Sequence, residues 1–164
     1  MRTHYNLVVP IEPPVALNPD EEIAWRALAY LVTHLSRVLE QDLAKETNVT
    51  LSEYVVLVHL SEAEHRCLRI GDLAVNSDLS PSRMSRLVDE MARHGYVTKN
   101  PCSDDGRSML ATLTPHGMKT LKKVYPAQLR NVRKRVFDLL SPDDVLPLGG
   151  MLGRIRDGLE SPAG

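Results

Sequence analysis

The sequence predicts a mostly α-helical protein that contains one small β-hairpin. Apolar residues recur at three- and four-residue steps along most of the 164 residues, which is the helical period. One segment differs: residues 96–99 and 108–113 are typical of two short strands around a loop that contains proline and glycine. Two short helices precede this hairpin. That order indicates a winged helix-turn-helix with long N- and C-terminal dimerisation helices.

Composition excludes several classes of protein. Hydrophobic residues make up 43% of the chain and charged residues 25%, as in ordinary globular proteins. No apolar run approaches the ~18 residues of a membrane span, and residues 1–14 lack the long apolar region and cleavage site of a signal peptide, so we expect a cytoplasmic protein without membrane contact. No nucleotide-binding loop, GxSxG or HExxH pattern occurs, which predicts neither an enzyme nor a bound cofactor.

The sequence of the first 50 residues predicts an extended arm followed by one long helix. Residues 1–18 contain three prolines and no helical period, which indicates an extended arm. A helix is expected to begin at Asn18-Pro19, a capping residue followed by proline at the first helical position, and to end near Glu46. Together with residues 115–160, residues 19–50 are assigned to the dimerisation helices.

Residues 51–114 are assigned to a DNA-binding lobe. We expect a buried helix capped by Ser52, a polar connection over residues 62–69 and a short helix over residues 70–76. The next helix begins at Ser80-Pro81 and stops at Gly95. A hairpin with its loop at residues 100–107 completes the lobe.

Two helices are expected after the hairpin. The first is capped by Thr114-Pro115, runs to about Leu140 and contains Pro126, which should bend it. The second begins at Ser141-Pro142 and carries a long apolar stripe. Such stripes exceed what one small subunit can cover, so they predict an obligate dimer.

The net charge of −1 conceals an uneven distribution. Residues 1–62 carry −5, whereas residues 80–123 carry +4 and residues 124–140 carry +3. The positive charge therefore coincides with the helix and hairpin that would approach a phosphate backbone. This coincidence favours a DNA-binding surface over a merely solvated one.

The polar face of the helix after Ser80 carries residue types that read bases. Arginine can bond the O6 and N7 atoms of guanine in pairs, and serine can bond bases or phosphates. An arginine at the loop tip can enter the minor groove, and a carboxylate two residues earlier could hold it in place. The predicted DNA contacts are Ser80, Ser82, Arg83, Ser85 and Arg86 on the helix, and Lys99, Asp105, Arg107 and Ser108 on the hairpin.

These motifs resemble the MarR family of dimeric winged-helix regulators from bacteria. The helix SPSRMSRLVDEMARHGYV and the hairpin SDDGRSMLATLTPHG carry the resemblance, which extends from about Ile23 to Leu159. Asp105 and Arg107 match the family's Asp-x-Arg in the wing, LTPHG matches its LTxxG, and the recognition-helix arginine falls on Arg86. The resemblance implies a homodimer that binds a pseudo-palindromic double-stranded operator and acts as a repressor. One departure is that Gly106 and Ser108 flank Arg107, where members often carry a second basic residue.

The resemblance also implies a small-molecule effector. Members often release DNA when a small aromatic acid or phenol binds between the dimer helices and the DNA-binding lobe. The candidate residues for such a pocket are Trp25, Arg26, Tyr30, His34, Tyr54 and His59. Core or interface packing explains the same residues equally well, so both interpretations stay open.

Alternative functions use the same fold. Cys102 in the hairpin loop could act as an exposed redox sensor near Lys99 and Arg107, and His65-x-Cys67 is a possible metal pair. No spacing matches a tetrahedral zinc site, so inert thiols and surface histidines are favoured and no metal is predicted. A winged-helix protein-interaction module is the alternative from another class, and the convergence of Arg83, Arg86 and Arg107 favours DNA.

Overall fold

A computed structural model describes residues 15–102 and 108–160. These residues form six α-helices and three β-strands; the six helices and the two strands of the hairpin were predicted, and the third strand was not. The chain divides into two compact units, residues 1–35 and 36–164. Most of the predicted arm, residues 1–14, lies outside the described residues.

Helix α1 spans Pro19–Glu46 and begins as the sequence predicts. The side-chain oxygen of Asn18 accepts hydrogen bonds from the backbone N–H groups of Asp20 and Glu21, both at 3.0 Å. The Glu21 carboxylate accepts the N–H of Asn18 at 2.8 Å. These reciprocal bonds satisfy donors that the first helical turn leaves unpaired.

Helix α2 spans Leu51–Glu62, and its cap is Thr50 rather than Ser52 as predicted. The Thr50 hydroxyl accepts the N–H of Glu53, and the Glu53 carboxylate accepts the N–H of Thr50. This is a capping box, whose Thr-x-x-Glu spacing is visible in the sequence. Ser52 is wrong as the cap because it already lies within the first turn of the helix.

The segment predicted as a polar connection contains the first strand of a sheet. One 3₁₀ turn, Glu64–Arg66, leads into β1, Cys67–Arg69. Strands β2, Val97–Pro101, and β3, Met109–Leu113, form the predicted hairpin, and the antiparallel order is β1-β3-β2. The predicted loop also begins too early, because β2 continues through Asn100 and Pro101, which pair with Leu110 and Met109.

Helices α3, Ile70–Asn76, and α4, Pro81–Arg93, confirm the predicted helix-turn-helix. Asp78 adopts a φ of 50° in the turn between them. Gly95, at a φ of 74°, ends α4 in the left-handed conformation that glycine tolerates best. The N–H of Tyr96 then bonds the carbonyl of Met91 at 2.9 Å and closes the helix end.

Helix α5 spans Pro115–Arg135, five residues shorter than predicted. Thr114 caps it, as expected, by accepting the N–H of Gly117 at 2.9 Å. Val136 leaves the helical conformation at φ −129° and ψ −69°, and a 3₁₀ turn at Phe137–Leu139 follows. Apolar periodicity continues through this turn, which is why the sequence suggested a longer helix.

Helix α6 spans Pro142–Glu160 and has no buried residue. Its apolar side chains are exposed, Leu146 and Leu159 most of all. In the other unit, most apolar side chains of α1 are also exposed, among them Ile23 and Val32, whereas Leu28 is half-buried.

The core lies between the C-terminal end of α1, helices α2, α3, α4 and α5, and the sheet. Its largest fully buried side chains are those of leucine, methionine and valine. Through these side chains the helix-turn-helix packs against α2 and β3. Those side chains are Leu43, Val56, Leu57, Leu60, Leu73, Met84, Val88 and Met91.

Candidate nucleic-acid interface

The N-terminal end of α4 presents a polar surface. Ser80 caps the helix by accepting the N–H of Arg83 at 3.3 Å, and its hydroxyl lies 3.3 Å from that of Ser82. Met84, Val88 and Met91 on the opposite face are fully buried. Burial of this face fixes the orientation of the helix. The other face, with Ser82, Arg83 and Arg86, therefore points away from the core.

Arg83 and Arg86 are exposed, and neither forms an ion pair within the described part of the chain. The Nε of Arg86 donates to the carbonyl of Ser82 at 3.4 Å, which orients the guanidinium along the helix. Two unpaired guanidinium groups on adjacent turns suit phosphate oxygens or guanine edges.

A groove of about 410 Å³ separates α4 from the sheet. Ser85 of α4 and Ser108 before β3 line it, together with Arg69 and Gly71 from the start of α3. The two serines were predicted from the sequence, whereas Arg69 was missed. Arg69 is exposed at the end of β1, and the failure to predict that strand hid its position beside the hairpin.

Lys99 connects the hairpin to α4. Its ammonium group lies 2.8 Å from a carboxylate oxygen of Asp89, and its side chain is only 25% exposed. This ion pair positions β2 against the helix. A phosphate contact by Lys99 stays a prediction, and it would require exchange of Asp89 for a phosphate oxygen.

The tip of the hairpin, residues 103–107, lies outside the described residues, and with it the predicted contacts Asp105 and Arg107. At its base, the N–H of Cys102 bonds the carbonyl of Ser108 at 2.9 Å. Cys102 is buried, with 7% of its surface exposed, which contradicts the exposed position that the redox alternative requires. Cys67 is half-buried, and its sulfur accepts a hydrogen bond from Thr112 at 3.3 Å.

No group of three or more possible metal ligands occurs within residues 15–102 and 108–160. The His65 ring contacts the neighbouring Glu64 carboxylate at 3.4 Å, and both side chains are exposed. The same residues contain no helix long and apolar enough to span a membrane.

The C-terminal end of α4 is held by charged and aromatic groups. The His94 ring lies 3.3 Å from the carboxylates of both Glu53 and Glu90. Tyr96 packs beside it, with ring centroids 5.3 Å apart. Burial raises the pKa of Tyr96, and the nearby charge of Glu53 raises it further.

The predicted effector residues lie on two helices. On α1, the rings of Tyr30 and His34 stack at 4.0 Å, Arg26 pairs with Glu22, and Trp25 is 58% exposed. On α2, Tyr54 and His59 are half-buried. Burial raises the pKa of Tyr54, with smaller contributions from Tyr125 and Glu62.

Known proteins are similar to this chain in sequence and in fold. A sequence model described as "MarR family" matches residues 47–108, which include α2, the helix-turn-helix and most of the hairpin. AbsC, a MarR family transcriptional regulator from Streptomyces coelicolor, is 35% identical. The alignment covers 89% of this chain and 98% of AbsC, with a TM-score of 0.79.

A second structure from Streptomyces coelicolor, the MarR family regulator Sco3205 solved in complex with DNA, is 30% identical. It aligns over 92% of this chain and 94% of its own, with a TM-score of 0.83. The HTH-type regulator YfiV of Bacillus subtilis is 27% identical over 97 residues, 59% of each chain. This chain therefore spans about three fifths of that curated relative.

Proposed function

Since the chain belongs to the MarR family of transcriptional regulators, we propose that it binds double-stranded DNA as a homodimer and represses transcription from a pseudo-palindromic operator. A cytoplasmic location is part of the same proposal. Members of this family are regulators rather than enzymes.

The observation that carries the proposal is the exposed N-terminal face of α4. Among the described residues Arg83 and Arg86 form no ion pair, and they lie on a helix whose other face is buried in the core. Recognition helices of helix-turn-helix proteins use this end in the major groove. The DNA complex of Sco3205 supports the proposal, because that relative shares the fold over nearly its whole length.

Arg69, Ser85 and Ser108 extend this surface to the backbone. They line the groove between α4 and the hairpin together with Asp72, so a phosphate group there would meet one guanidinium and two hydroxyl groups beside one carboxylate. We assign Arg69 to phosphate contact and Arg86 to base contact. The predicted roles of Asp105 and Arg107 in the minor groove belong to the same proposal and rest on the sequence.

Homodimerisation is supported by the uncovered apolar faces. Helix α6 buries none of its own residues in the single chain, although Met151, Leu152 and Ile155 are apolar. Monomeric proteins seldom leave such stripes in water. A partner copy that covers them would set two recognition helices about one helical turn of DNA apart.

Operator binding by single variants tests the proposal. Fragments selected from the source genome supply the operator, and affinity is measured by gel shift at fixed salt. We expect Arg86→Ala to weaken binding by about 1–3 kcal/mol and Arg107→Ala to weaken it measurably. Arg69→Ala should weaken all sequences and lower the slope of log K against log salt by about one unit.

Arg93→Ala is the matched control, because Arg93 is an exposed arginine at the other end of α4 whose charge is paired with Glu90. Its affinity should stay close to that of the wild type. Unchanged affinity in Arg86→Ala would refute the assignment of the recognition face. Absence of any selected fragment would refute DNA binding and favour a protein-interaction module.

A small aromatic acid as releasing effector is the finer part of the proposal. The stacked pair Tyr30 and His34 and the exposed ring of Trp25 support a role for α1 in binding a planar ligand. Trp25 is the single tryptophan of the chain, so its fluorescence reports on this helix alone. Titration with benzoate should change the fluorescence and release the operator. If benzoate changed neither the Trp25 fluorescence nor the binding of the operator, this site would be refuted.

A further inference from the structure

His94 lies between two carboxylates at the C-terminal end of α4. Its Nδ1 atom is 3.3 Å from one oxygen of Glu53, in the first turn of α2, and its Nε2 atom is 3.3 Å from one oxygen of Glu90, one turn earlier in α4. The second oxygen of each carboxylate has another partner, which is Thr50 for Glu53 and Arg93 for Glu90. The histidine ring therefore joins the two helices through one oxygen of each carboxylate.

The two contacts make a demand on the proton content of the ring. A neutral imidazole has one N–H donor and one lone-pair acceptor, whereas an ionised carboxylate only accepts hydrogen bonds. Because both ring nitrogens face carboxylate oxygens, a neutral ring would direct its lone pair at one of them. An imidazolium carries an N–H on each nitrogen and can donate to both. The second proton of a histidine is the one that changes between about pH 5 and 8.

The other titratable groups around the ring come from α4, the start of β2 and α5. Arg93 of α4 pairs with Glu90. Tyr96 packs beside His94, with ring centroids 5.3 Å apart, and His116 of α5 lies next to Tyr96, with centroids 5.5 Å apart. The side chain of His94 is 44% exposed, so its ring can exchange a proton with water while the rest of the cluster stays in place.

The first turn of α2 also reaches the recognition face. Ser52 of this turn lines a groove of about 680 Å³ together with Arg83 and Arg86 of α4. Glu53 belongs to the same turn, so its contact with His94 holds one wall of this groove against α4. The rest of the lining is Glu40, Thr50, Leu79 and Leu87.

We propose that His94 is a positioning residue of the recognition helix: its imidazolium bridges Glu53 and Glu90 and holds α2 and α4 in the arrangement that binds the operator. Loss of the ring proton turns a lone pair toward a carboxylate and breaks one side of the bridge. The first turn of α2 is then held less firmly beside Arg83 and Arg86. Operator affinity is therefore higher with the ring protonated and falls as the pH rises. This effect rests on the proposed function, whereas the protonated bridge does not.

Operator affinity between pH 5.5 and 8.5 tests the proposal. It is measured by fluorescence anisotropy of a labelled operator fragment at constant ionic strength. We expect the wild-type Kd to rise about three- to fivefold across this range, which is the effect of losing one half-exposed ion pair.

Two substitutions of His94 separate its charge from its packing. Glutamine takes up no proton in this range, so His94→Gln should bind weakly at pH 6 and lose the pH dependence. Arginine stays charged and can donate to two carboxylates. His94→Arg should therefore keep the high affinity of the wild type at pH 6 throughout the range.

His65→Gln is the matched control, because His65 is an exposed histidine that contacts only the neighbouring carboxylate of Glu64 among the described residues. It should keep the pH profile of the wild type. Circular dichroism checks that each variant folds. In the absence of DNA, ¹⁵N NMR of the imidazole nitrogens should show hydrogen on both nitrogens of His94 at pH 6.

Four results would overturn the proposal: a flat wild-type profile, a wild-type profile in His94→Gln, a His94→Arg variant as weak as His94→Gln, or a neutral His94 ring at pH 6. If His94→Gln does not fold, the arginine variant and the NMR measurement still decide. Failure to bind DNA at any pH, with both nitrogens of His94 protonated at pH 6, would refute the proposed function and leave the bridge standing.

Discussion

The buried carboxylate of Glu53 connects the start of α2 to His94 at the end of α4. One oxygen accepts the N–H of Thr50 at 2.9 Å and its hydroxyl at 3.0 Å. The other oxygen lies 3.3 Å from Nδ1 of His94. Only 3% of Glu53 is exposed, so this one side chain fixes both the cap of α2 and the C-terminal end of α4.

Glu53→Ala should lower the free energy of unfolding by about 2–3 kcal/mol, because it removes half of a capping box and leaves buried donors unpaired. Glu53→Gln should cost less, since glutamine can still accept the N–H of Thr50. Urea unfolding monitored by circular dichroism gives both values. Glu64→Ala, at an exposed glutamate, is the control, and an equal effect of the two alanine variants would contradict the role of Glu53.

Gly117 in the first turn of α5 is the point of closest approach between that helix and Tyr96. A Cβ atom at this position would lie 2.1 Å from the carbonyl oxygen of Tyr96, which is itself bonded to the N–H of Thr114. Gly117→Ala must therefore displace backbone, and we expect a loss of about 1–3 kcal/mol in thermal or urea unfolding.

Gly71→Ala provides the comparison for this prediction. Nothing lies within 4 Å of a Cβ atom at Gly71, which is also in the first turn of a helix. There, alanine should stabilise by up to about 1 kcal/mol, because it restricts the unfolded chain. If both variants were equally stable, the close packing of α5 on Tyr96 would be refuted.

The sequence predicts the elements whose signals are local. Asn18, Ser80 and Thr114 are helix caps followed by proline, and each begins a helix where it was expected. Strand β1 was missed because three residues, Cys67–Arg69, are too few to show alternation and owe their conformation to pairing with β3. Tertiary pairing of this kind has no local signature.

The candidate site also contains residues that the sequence predicts and residues that it does not. Arg83 and Arg86 are predictable, since they follow a cap on a strongly amphipathic helix. Arg69 is not, because its place beside Ser85 depends on the strand that the sequence concealed. Nor does the sequence indicate that Lys99 is paired with Asp89, ten residues away, since this contact requires the hairpin to fold back onto α4.

Asp42 predicts a specific dependence of stability on pH. Hydrogen bonds from Arg135 at 2.6 Å and Lys45 at 3.0 Å hold the pKa of its carboxyl well below the ordinary range. A depressed pKa in the folded state stabilises the fold above the unfolded-chain pKa of about 3.9, and this contribution is lost as the pH falls further.

Asp42→Asn should therefore be less stable than the wild type at pH 7, and the difference should shrink below about pH 4. Urea midpoints from pH 2.5 to 7 measure it. Asp138→Asn is the control, because its pair with Arg133 is exposed on both sides and spans 3.7 Å. A difference for Asp42→Asn that stayed constant across this range would rule out the ionised pair as its cause.

Helix α6 offers the sharpest test of assembly. Ile155 is 47% exposed in the single chain, and it lies one helical turn beyond Met151 and Leu152. If a second copy covers this face, Ile155→Asp places a charge in an apolar interface and should shift the protein to a monomer at micromolar concentration in sedimentation velocity. Val75→Asp, at an exposed valine of α3, adds the same charge outside that face and should leave the dimer intact. A wild-type protein that sediments as a monomer, or an Ile155→Asp variant that stays dimeric, would show that α6 is not the dimer interface.

Monomeric Ile155→Asp should also lose operator affinity, because a single recognition helix engages only one half-site.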